Sequence, residues 1–421
     1  MTPGVSAAQE SPTTPPPFSK SALRELKPME KLAPFPRLGH FARADLFVKT
    51  FVPINAEESA AFIIARATPT EPADRILRQT LASVKDPHFR LEVSRGVFAY
   101  YRWLGWLDPK IAVERAVVQA LDLDWKFQQQ PAAFDDAELL AKSVPAWAPA
   151  ALDVSPAWAR ALQRHPTLWL RARQRDAAEI QRVLVGSKSG PFPGSLEYAG
   201  EIDLFRTPEF HQGRFEVQDI SSQAVGFLCG PRPGETWWDA CAGEGGKLLH
   251  LSELMQNKGL IWASDRADWR LKNLKRRTGR AGVFNYRAAP WDGSQKLPTK
   301  TKFDGILIDA PCSGAGTWQR NPHARWTTQP ADVSELAALQ KTLLRHAANS
   351  LKPGGRLIYS VCTLTRAETV EVAANFQSNF PDFKPIDLTD PWNPGPTGST
   401  GLFLRPEETR GNGMFVAGWT R

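Results

Sequence analysis

The chain has 421 residues, of which 42% are hydrophobic and 23% charged, and this composition excludes full-length disorder and a fibrous repeat. At about 150 residues per domain, the length predicts two or three domains. Lysine and arginine number 52 against 44 aspartates and glutamates, so the net charge is +8 and favours an anionic partner such as nucleic acid.

The four cysteines, Cys229, Cys241, Cys312 and Cys362, are far apart and form no C-x-x-C pair. This usage is typical of reduced thiols and predicts a cytoplasmic protein. No apolar stretch approaches the roughly 18 residues that span a bilayer, and residues 1–20 have no apolar segment like that of a signal peptide. We therefore expect neither membrane insertion nor secretion.

The N-terminal half predicts three segments. Residues 1–20 are rich in Pro, Ser and Thr, which predicts a disordered tail. Apolar residues recur at helical spacing from about 57 to 125, so we expect an all-α domain over 21–145. Prolines interrupt the looser stretch that follows, which predicts a small linking domain over 146–214.

From residue 215 to 421, short apolar runs alternate with helical ones. The predicted strands are Thr236–Ala240, Leu260–Ser264, Val283–Arg287, Phe303–Asp309 and Arg356–Ser360, and the predicted helices are 246–256, 267–279, 333–351 and 367–379. This alternation predicts an α/β domain with a mostly parallel sheet covered on both faces. Ligands of such sheets bind at the carboxyl ends of the strands.

A glycine-rich turn, Asp239-Ala-Cys-Ala-Gly-Glu-Gly-Gly-Lys247, follows the first of these strands. Its glycines allow close approach of a ligand to a helix N-terminus. The turn is not G-x-G-x-x-G, which favours an adenosyl cofactor with a carboxylate end, such as S-adenosylmethionine, over a dinucleotide. The alternative is a tight strand-to-helix turn without a ligand.

Carboxylates follow the next two strands. Asp265 comes 18 residues after Lys247, at the position where an acid binds the paired hydroxyls of a ribose, although it also suits a helix N-cap. Asp292 follows Trp291, and the two could contact the amine and the face of an adenine. The alternative for Asp292 is an ordinary turn.

The last two predicted strands bring an acid and two thiols to neighbouring strand ends: Asp309 and Cys312 follow one, and Cys362 follows the other. A lone cysteine is usually inert core, but packing does not predict two beside an acid. Methylation of carbon 5 of a pyrimidine needs a thiolate that adds to carbon 6 and an acid that manages charge at the ring nitrogens. These residues fit that reaction.

The motifs resemble the RNA (cytosine-5) methyltransferases of the RsmB/Nop/Sun type, also called Fmu-like. The resemblance covers about the last 200 residues. It rests on VQDISSQ at 217–223, DACAGEGGK at 239–247, DAPCSGAG at 309–316, Arg320-Asn321-Pro322, Arg325-Trp326, LKPGGRLIYSVCT at 351–363 and Gly413-Met414-Phe415. Residues 165–184 also resemble the small domain that precedes the catalytic one, and the helices before it are similar to a NusB-like RNA-binding domain.

The resemblance implies an S-adenosylmethionine-dependent methyltransferase with a Rossmann-like fold. It implies that Cys362 is the nucleophile, that Cys312 is needed to release product and that Asp309 contacts the target base. The implied cofactor site comprises Cys241, Ala242, Gly243, Glu244, Gly245, Gly246, Lys247, Asp265, Asp292 and Asp309.

Three residues depart from the family pattern. Gly243-Glu244 replaces Ala-Pro, Thr369 replaces Asn, and Asn412 replaces Asp. The first departure bears on cofactor affinity more than on chemistry.

A basic segment provides a candidate RNA surface. Residues 266–302 contain eleven lysines and arginines against two acids. We expect RNA to contact Lys275, Arg276, Arg277 and, outside this segment, Arg320. The alternative for the segment is a solvated helix face.

Ribosomal RNA is the favoured substrate because of the NusB-like segment, and transfer RNA is the alternative. We expect a monomer that binds no metal. The competing functions are a non-catalytic RNA-binding protein that keeps the fold and a DNA cytosine methyltransferase that uses Cys312 as its nucleophile.

Overall fold

A computed structural model describes residues 55–393 and 401–421. The tail predicted at 1–20 and the first part of the predicted all-α domain lie outside these residues. The described chain begins with helices α1 (Ala56–Arg66), α2 (Ala73–Thr80), α3 (Pro87–Trp103), α4 (Val113–Gln129), α5 (Asp136–Lys142), α6 (Ala148–Ala151) and α7 (Pro156–Gln163). Fully buried Ile63, Val93 and Val117 join α1, α3 and α4 in one core, as the helical spacing of the apolar residues predicts.

A small antiparallel sheet follows. Its chain order is β1 (Leu168–Ala172), α8 (Ala177–Val183), β2 (Ser187–Ser189), β3 (Ser195–Tyr198), α9 (Pro208–His211) and β4 (Phe215–Val217), and its strand order is β2-β3-β1-β4. Buried Leu170, Leu196 and Phe215 form its core. Arg171 of β1 donates to Gln218 Oε1 at 2.6 Å and to Glu253, so this sheet is fixed to the part of the chain that follows.

The C-terminal half forms a larger sheet with helices on both faces. Its elements are α10 (Ile220–Cys229), β5 (Thr236–Asp239), α11 (Gly246–Leu254), β6 (Leu260–Ala263), α12 (Asp268–Arg280), β7 (Tyr286–Ala288), β8 (Phe303–Asp309), α13 (Pro322–Thr327), α14 (Pro330–Ala348), β9 (Leu351–Val361), α15 (Val370–Asn379), β10 (Lys384–Pro385), β11 (Leu402–Leu404), α16 (Pro406–Thr409) and β12 (Met414–Thr420). The described strands run in the order β10-β12-β9-β8-β5-β6-β7, with β11 paired to β12.

Strands β5 to β9 are mutually parallel, and β12 is antiparallel to β9. This is the predicted α/β Rossmann-like methyltransferase fold, which is thereby confirmed. The central strands are continuous apolar runs, because both faces are covered by helices. Gly305 of β8 leaves room for the neighbouring strand, since a Cβ there would lie 2.3 Å from the ring of Trp237.

One predicted strand was misplaced. The strand expected at Val283–Arg287 is β7, which begins only at Tyr286. Gly282 has a φ of +61°, and the Val283 amide donates to the Thr278 carbonyl at 2.9 Å, so this stretch closes the end of α12. Phe284 is 77% exposed. Its preference for strands therefore misled the prediction, because the residue does not pack in the sheet.

The N-terminal helices pack on the C-terminal half of the chain through Arg325 of α13. This side chain is fully buried and donates to the backbone carbonyls of Ser143 at 2.9 Å, Leu162 at 3.1 Å and Trp318 at 3.3 Å. Next to it, Trp326 Nε1 donates to the Tyr101 carbonyl at 2.7 Å. Helix α13 is therefore connected to α3 and α7 by hydrogen bonds.

Candidate active site

A cavity of about 520 Å³ opens at the carboxyl ends of β5, β6, β8 and β9. This is the edge at which ligands of parallel sheets bind. The predicted site residues that line it are Cys241, Ala242, Gly243, Glu244, Gly246, Lys247, Arg277, Asp265, Asp292, Asp309, Cys312, Arg320 and Cys362. Gly245, Lys275 and Arg276 do not line it.

The glycine turn and Asp265 form one unit at the cavity wall. Gly243 and Gly245 have φ values of +54° and +87°, and a Cβ on Gly245 would lie 2.9 Å from Leu274. Asp265 is buried, and its two oxygens accept from the Gly243 amide at 3.1 Å and the Ala267 amide at 2.8 Å. Asp265 therefore fixes the turn and binds the amide that precedes α12. The N-cap alternative is wrong, because the N-cap of α12 is Ala267, which has no side-chain capping hydrogen bond among the described residues.

Lys247 and Asp309 form an ion pair at the floor of the cavity. Lys247 Nζ lies 2.6 Å from Asp309 Oδ2, and Ser360 Oγ donates to Asp309 Oδ1 at 2.8 Å. Burial works against the lysine charge, but neighbouring Asp309 outweighs it and raises the pKa of Lys247. A cation is thus held beside the predicted acid, which the sequence did not indicate.

The two thiols are adjacent, with Cys312 Sγ 3.3 Å from Cys362 Sγ. A hydrogen bond from Cys312, together with Lys247 and Arg320, lowers the pKa of Cys362 against the effects of burial and Asp309. The same hydrogen bond, burial and the charge of Glu368 raise the pKa of Cys312. The pKa of Cys362 is thus lowered and that of Cys312 raised, which favours Cys362 over Cys312 as the site of a thiolate.

Asp239, at the end of β5, is a cavity residue that sequence reasoning missed. It is 1% exposed, and neither carboxylate oxygen has a hydrogen-bond partner among the residues that the structure describes. Burial, then the nearby charge of Asp309, raises the pKa of Asp239 to about 8. A buried carboxylate without partners indicates a polar or cationic ligand group. The sequence signal that could have identified Asp239 was its position at the end of a strand, directly before the glycine turn.

Asp219 is a second missed residue. It lines the cavity, caps α10 by accepting from the Ser221 amide at 3.0 Å, and accepts from the Asn412 amide at 3.0 Å. Burial raises the pKa of Asp219, although Arg320 opposes this effect. Asp219 holds the loop before β12 against the cavity.

Asp292 and Trp291 both line the cavity, but each has local partners. Asp292 Oδ1 accepts from the Ser294 amide at 2.9 Å, and hydrogen bonds from Ser294 lower the pKa of Asp292. Trp291 is 5% exposed, and its ring lies 4.9 Å from that of Trp238. The predicted turn is present, and Trp291 belongs largely to the core.

The basic residues predicted to contact RNA divide into two groups. Lys275 and Arg276 are exposed on α12, and Arg320 is exposed at the cavity. Arg277 turns inward, because its guanidinium donates to buried Glu216 at 2.9 Å and to the Glu244 carbonyl at 3.2 Å. Arg277 thus differs from Lys275 and Arg276 in having an ion pair with a buried acid, and its contact with RNA stays a prediction.

Two further properties concern only residues 55–393 and 401–421. No group of three or more His, Cys, Asp or Glu side chains there is placed to hold a metal ion. No helix in that part of the chain is long and apolar enough to cross a membrane.

Comparison with known proteins identifies relatives of the C-terminal half. Residues 227–420 match the model of a family described as 16S rRNA methyltransferase RsmB/F. A probable ribosomal RNA small subunit methyltransferase B of Synechocystis sp. is 36% identical over 233 residues, which are 53% of this chain and 52% of that protein. The chain thus spans about half the length of this curated relative.

Solved structures share the fold. The protein in the crystal structure of PH0851 is 24% identical in sequence to this chain. The match covers 88% of this chain and 100% of that protein, with a TM-score of 0.72. NSun6 from Pyrococcus horikoshii, whose crystal structure was solved with SFG, is 20% identical in sequence to this chain. The match covers 63% of this chain and 93% of NSun6, with a TM-score of 0.56. SFG is an analogue of S-adenosylmethionine.

Proposed function

We propose that this chain, whose residues 227–420 match the model of the family described as 16S rRNA methyltransferase RsmB/F, is a methyltransferase of the RsmB/Nop/Sun type. We further propose that it methylates carbon 5 of cytosine in RNA through a covalent cysteine adduct. The observation that carries the proposal is the thiol pair: Cys362 and Cys312, 3.3 Å apart, lie in one cavity with Asp309. Ribosomal RNA is the favoured substrate, by analogy with the named relatives, and transfer RNA is the alternative.

Cys362 is the proposed nucleophile. Carbon 5 of cytosine reacts poorly until a nucleophile adds at carbon 6, and the lowered pKa of Cys362 favours the thiolate needed for that addition. When the sulfur–carbon bond forms, the electron pair of the 5,6 double bond moves toward carbon 5. Asp309, whose oxygens are held by Lys247 and Ser360, is the group proposed to contact the ring nitrogens.

Cys312 is the proposed release residue. After carbon 5 carries its new group, a water molecule takes the proton from carbon 5, the electron pair of that C–H bond restores the 5,6 double bond, and the sulfur–carbon bond breaks to release the Cys362 thiolate. The 3.3 Å separation allows Cys312 to donate a hydrogen bond to that departing sulfur. This assignment gives the two thiols different steps in one reaction.

S-adenosylmethionine is the cofactor, and it supplies the methyl group as an electrophile. Asp265 and the glycine turn are proposed to hold its ribose and amino-acid parts. The unpartnered carboxylate of Asp239 fits the ammonium of the methionine portion, because an ion pair there would satisfy a buried acid. Asp292, at the rim, is proposed to contact the adenine amine.

The reaction requires both thiols in reduced form, which supports a cytoplasmic location. The exposed Lys275, Arg276 and Arg320 are the proposed RNA contacts, and the protein is proposed to act as a monomer without a metal. The N-terminal helices are proposed to add a NusB-like RNA-binding segment.

Transfer of tritium from labelled cofactor to ribosomal RNA, transfer RNA and duplex DNA tests the proposal. Label in 5-methylcytidine recovered from digested RNA, with none in DNA, is the expected result. Label in DNA alone would favour the DNA methyltransferase alternative. Absence of label from every substrate, with cofactor binding retained, would favour a non-catalytic RNA-binding protein.

A further inference from the structure

A buried carboxylate, Glu368, lies directly behind the thiol pair. It ends a 3-10 helix at Arg366–Glu368, between the Cys362 strand and α15, and is fully buried. None of the ion pairs among the described residues includes Glu368. Neutral donors surround its two oxygens instead, and these donors come from both thiol-bearing loops.

The Cys312 loop binds Glu368 through the next residue. The Ser313 amide donates to Glu368 Oε1 at 2.9 Å, and Ser313 Oγ donates to Oε2. The backbone amide and the side chain of one residue are thus both held by the same carboxylate. Cys312 is one residue from this double contact, so its position depends on Glu368.

The Cys362 loop binds the same carboxylate. Thr363 Oγ1 and Thr365 Oγ1 donate to Glu368 Oε2 at 3.2 and 2.8 Å. Gln340 of α14 adds a hydrogen bond to Oε1 at 3.0 Å, which anchors the carboxylate to a long helix. Both cysteines are therefore adjacent in sequence to residues that hydrogen-bond to Glu368.

We propose that Glu368 is a positioning residue that clamps the Cys312 and Cys362 loops together and keeps Cys312 as the thiol donor to Cys362. The proposal rests on the proposed function for its catalytic meaning, but the clamp itself concerns only the two thiols. Glu368 touches neither sulfur directly in the described contacts and acts through Ser313 and Thr363.

The charge of Glu368, like its hydrogen bonds, favours different roles for the two cysteines. It disfavours a thiolate at Cys312, whereas Lys247 and Arg320 favour one at Cys362. A carboxylate in this place thus separates two chemically identical groups that lie 3.3 Å apart. A neutral residue of the same shape would lose this effect and could accept fewer of the surrounding donors.

Glu368→Gln tests the clamp, with Glu371→Gln as the matched control because Glu371 is exposed on the next helix. The first measurement is the alkylation rate of each cysteine by iodoacetamide, followed by peptide mass spectrometry without RNA. In the parent protein, Cys362 should react faster than Cys312. In Glu368→Gln that ratio should fall toward one, and in Glu371→Gln it should not change.

The second measurement separates positioning from a general structural role. In Glu368→Gln, kcat for RNA methylation should fall roughly 100-fold, as misplaced reacting groups cause. The KM for cofactor and the affinity for S-adenosylhomocysteine should stay within about twofold of the parent. Ser313→Ala, which removes one donor to Glu368, should change the alkylation ratio in the same direction by less.

A parent-like alkylation ratio in folded Glu368→Gln would overturn the proposal, as would equal losses of kcat and cofactor affinity. If Glu368→Gln does not fold, Ser313→Ala decides alone, and a parent-like ratio in that variant overturns the proposal. A parent protein that methylates no RNA would refute the proposed function, whereas the alkylation ratio would still test the clamp.

Discussion

At the scale of single residues, three acids at the cavity differ in what holds them. Asp309 is paired with Lys247, and Asp265 accepts from two backbone amides. Asp239 has no partner for either oxygen within the described part of the chain. Buried carboxylates are stable only when hydrogen-bonded or paired, so the unpartnered one is the acid most sensitive to pH and to a bound ligand. The three acids therefore predict different results on substitution.

Asp239→Asn should change how the stability of the cofactor-free protein depends on pH. In the folded protein the pKa of Asp239 is raised to about 8, above the value of the unfolded chain. The parent therefore loses stability as pH rises from the unfolded value to the folded one. Asn does not titrate, so the Tm of Asp239→Asn should exceed that of the parent increasingly from pH 4 to pH 8.

Thermal unfolding at pH 4, 6 and 9 measures this difference. Asp268→Asn is the control, because Asp268 is exposed in the first turn of α12 and its removal reports the general effect of losing a negative charge. A Tm difference that does not change with pH would show that Asp239 is not the buried acid described above.

Asp265→Ala should weaken cofactor binding. If Asp265 accepts from the two ribose hydroxyls, its loss removes hydrogen bonds worth about 1.5 to 3 kcal/mol each, so the Kd for S-adenosylhomocysteine should rise at least about tenfold. Titration calorimetry measures the Kd, and exposed Asp268→Ala should leave it unchanged. Parent-like affinity in Asp265→Ala would limit Asp265 to fixing the turn and the start of α12.

The sequence predicted those site residues that directly follow a recognisable strand. Asp309, Cys312 and Cys362 follow apolar runs whose strand character is unambiguous, so their meeting at one edge follows from a parallel sheet. The missing partners of Asp239 and the clamp around Glu368 depend on contacts between distant segments, which local patterns do not contain. For the same reason, Arg277 was indistinguishable from its exposed neighbours until Glu216 was seen beside it.

At the scale of elements, α12 has one basic exposed face and one face fixed to the fold. Lys275 and Arg276 are exposed, whereas Arg277 and Arg280 both reach buried Glu216. The net charge of this segment therefore overestimates the number of cations that are free to bind an anion. Strand β7 was likewise misjudged from residue type alone, because the apolar residues before it form a turn.

Lys275→Ala with Arg276→Ala should weaken RNA binding and reduce its salt dependence. Each lost phosphate contact removes roughly 0.7 to 0.9 from the slope of log affinity against log salt concentration. Filter binding over a range of salt concentrations measures the slope, with Lys384→Ala at the opposite edge of the sheet as control. An unchanged slope in the double variant would place RNA on another face.

At the scale of the whole molecule, the N-terminal helices and the C-terminal half share a buried junction. The helices themselves followed from apolar spacing. Their attachment through Arg325 did not, because the carbonyls that Arg325 binds on those helices are about 160 to 220 residues away in the chain. Its pKa is lowered to about 9 by burial, then by nearby Arg102. The NusB-like character of these helices stays a prediction.

Arg325→Met should destabilise the protein, because buried carbonyls from three segments lose their donor. Hydrogen bonds to a charged group contribute about 1.5 to 3 kcal/mol each, so a loss of at least that size is expected in urea denaturation. Arg345→Met, which removes an exposed arginine of α14, should have little effect. Equal stability of the two variants would contradict a structural role for the junction.

The central claim is that two neighbouring thiols perform different steps on RNA, and trapping the covalent complex tests it most directly. The parent, Cys362→Ala and Cys312→Ala are incubated with RNA and S-adenosylmethionine and separated by denaturing electrophoresis. Cys312→Ala should accumulate a protein–RNA adduct that requires cofactor, because the bond to carbon 6 forms and cannot be released. Cys362→Ala should be inactive and give no adduct. An adduct in Cys362→Ala and none in Cys312→Ala would contradict the account and make Cys312 the nucleophile.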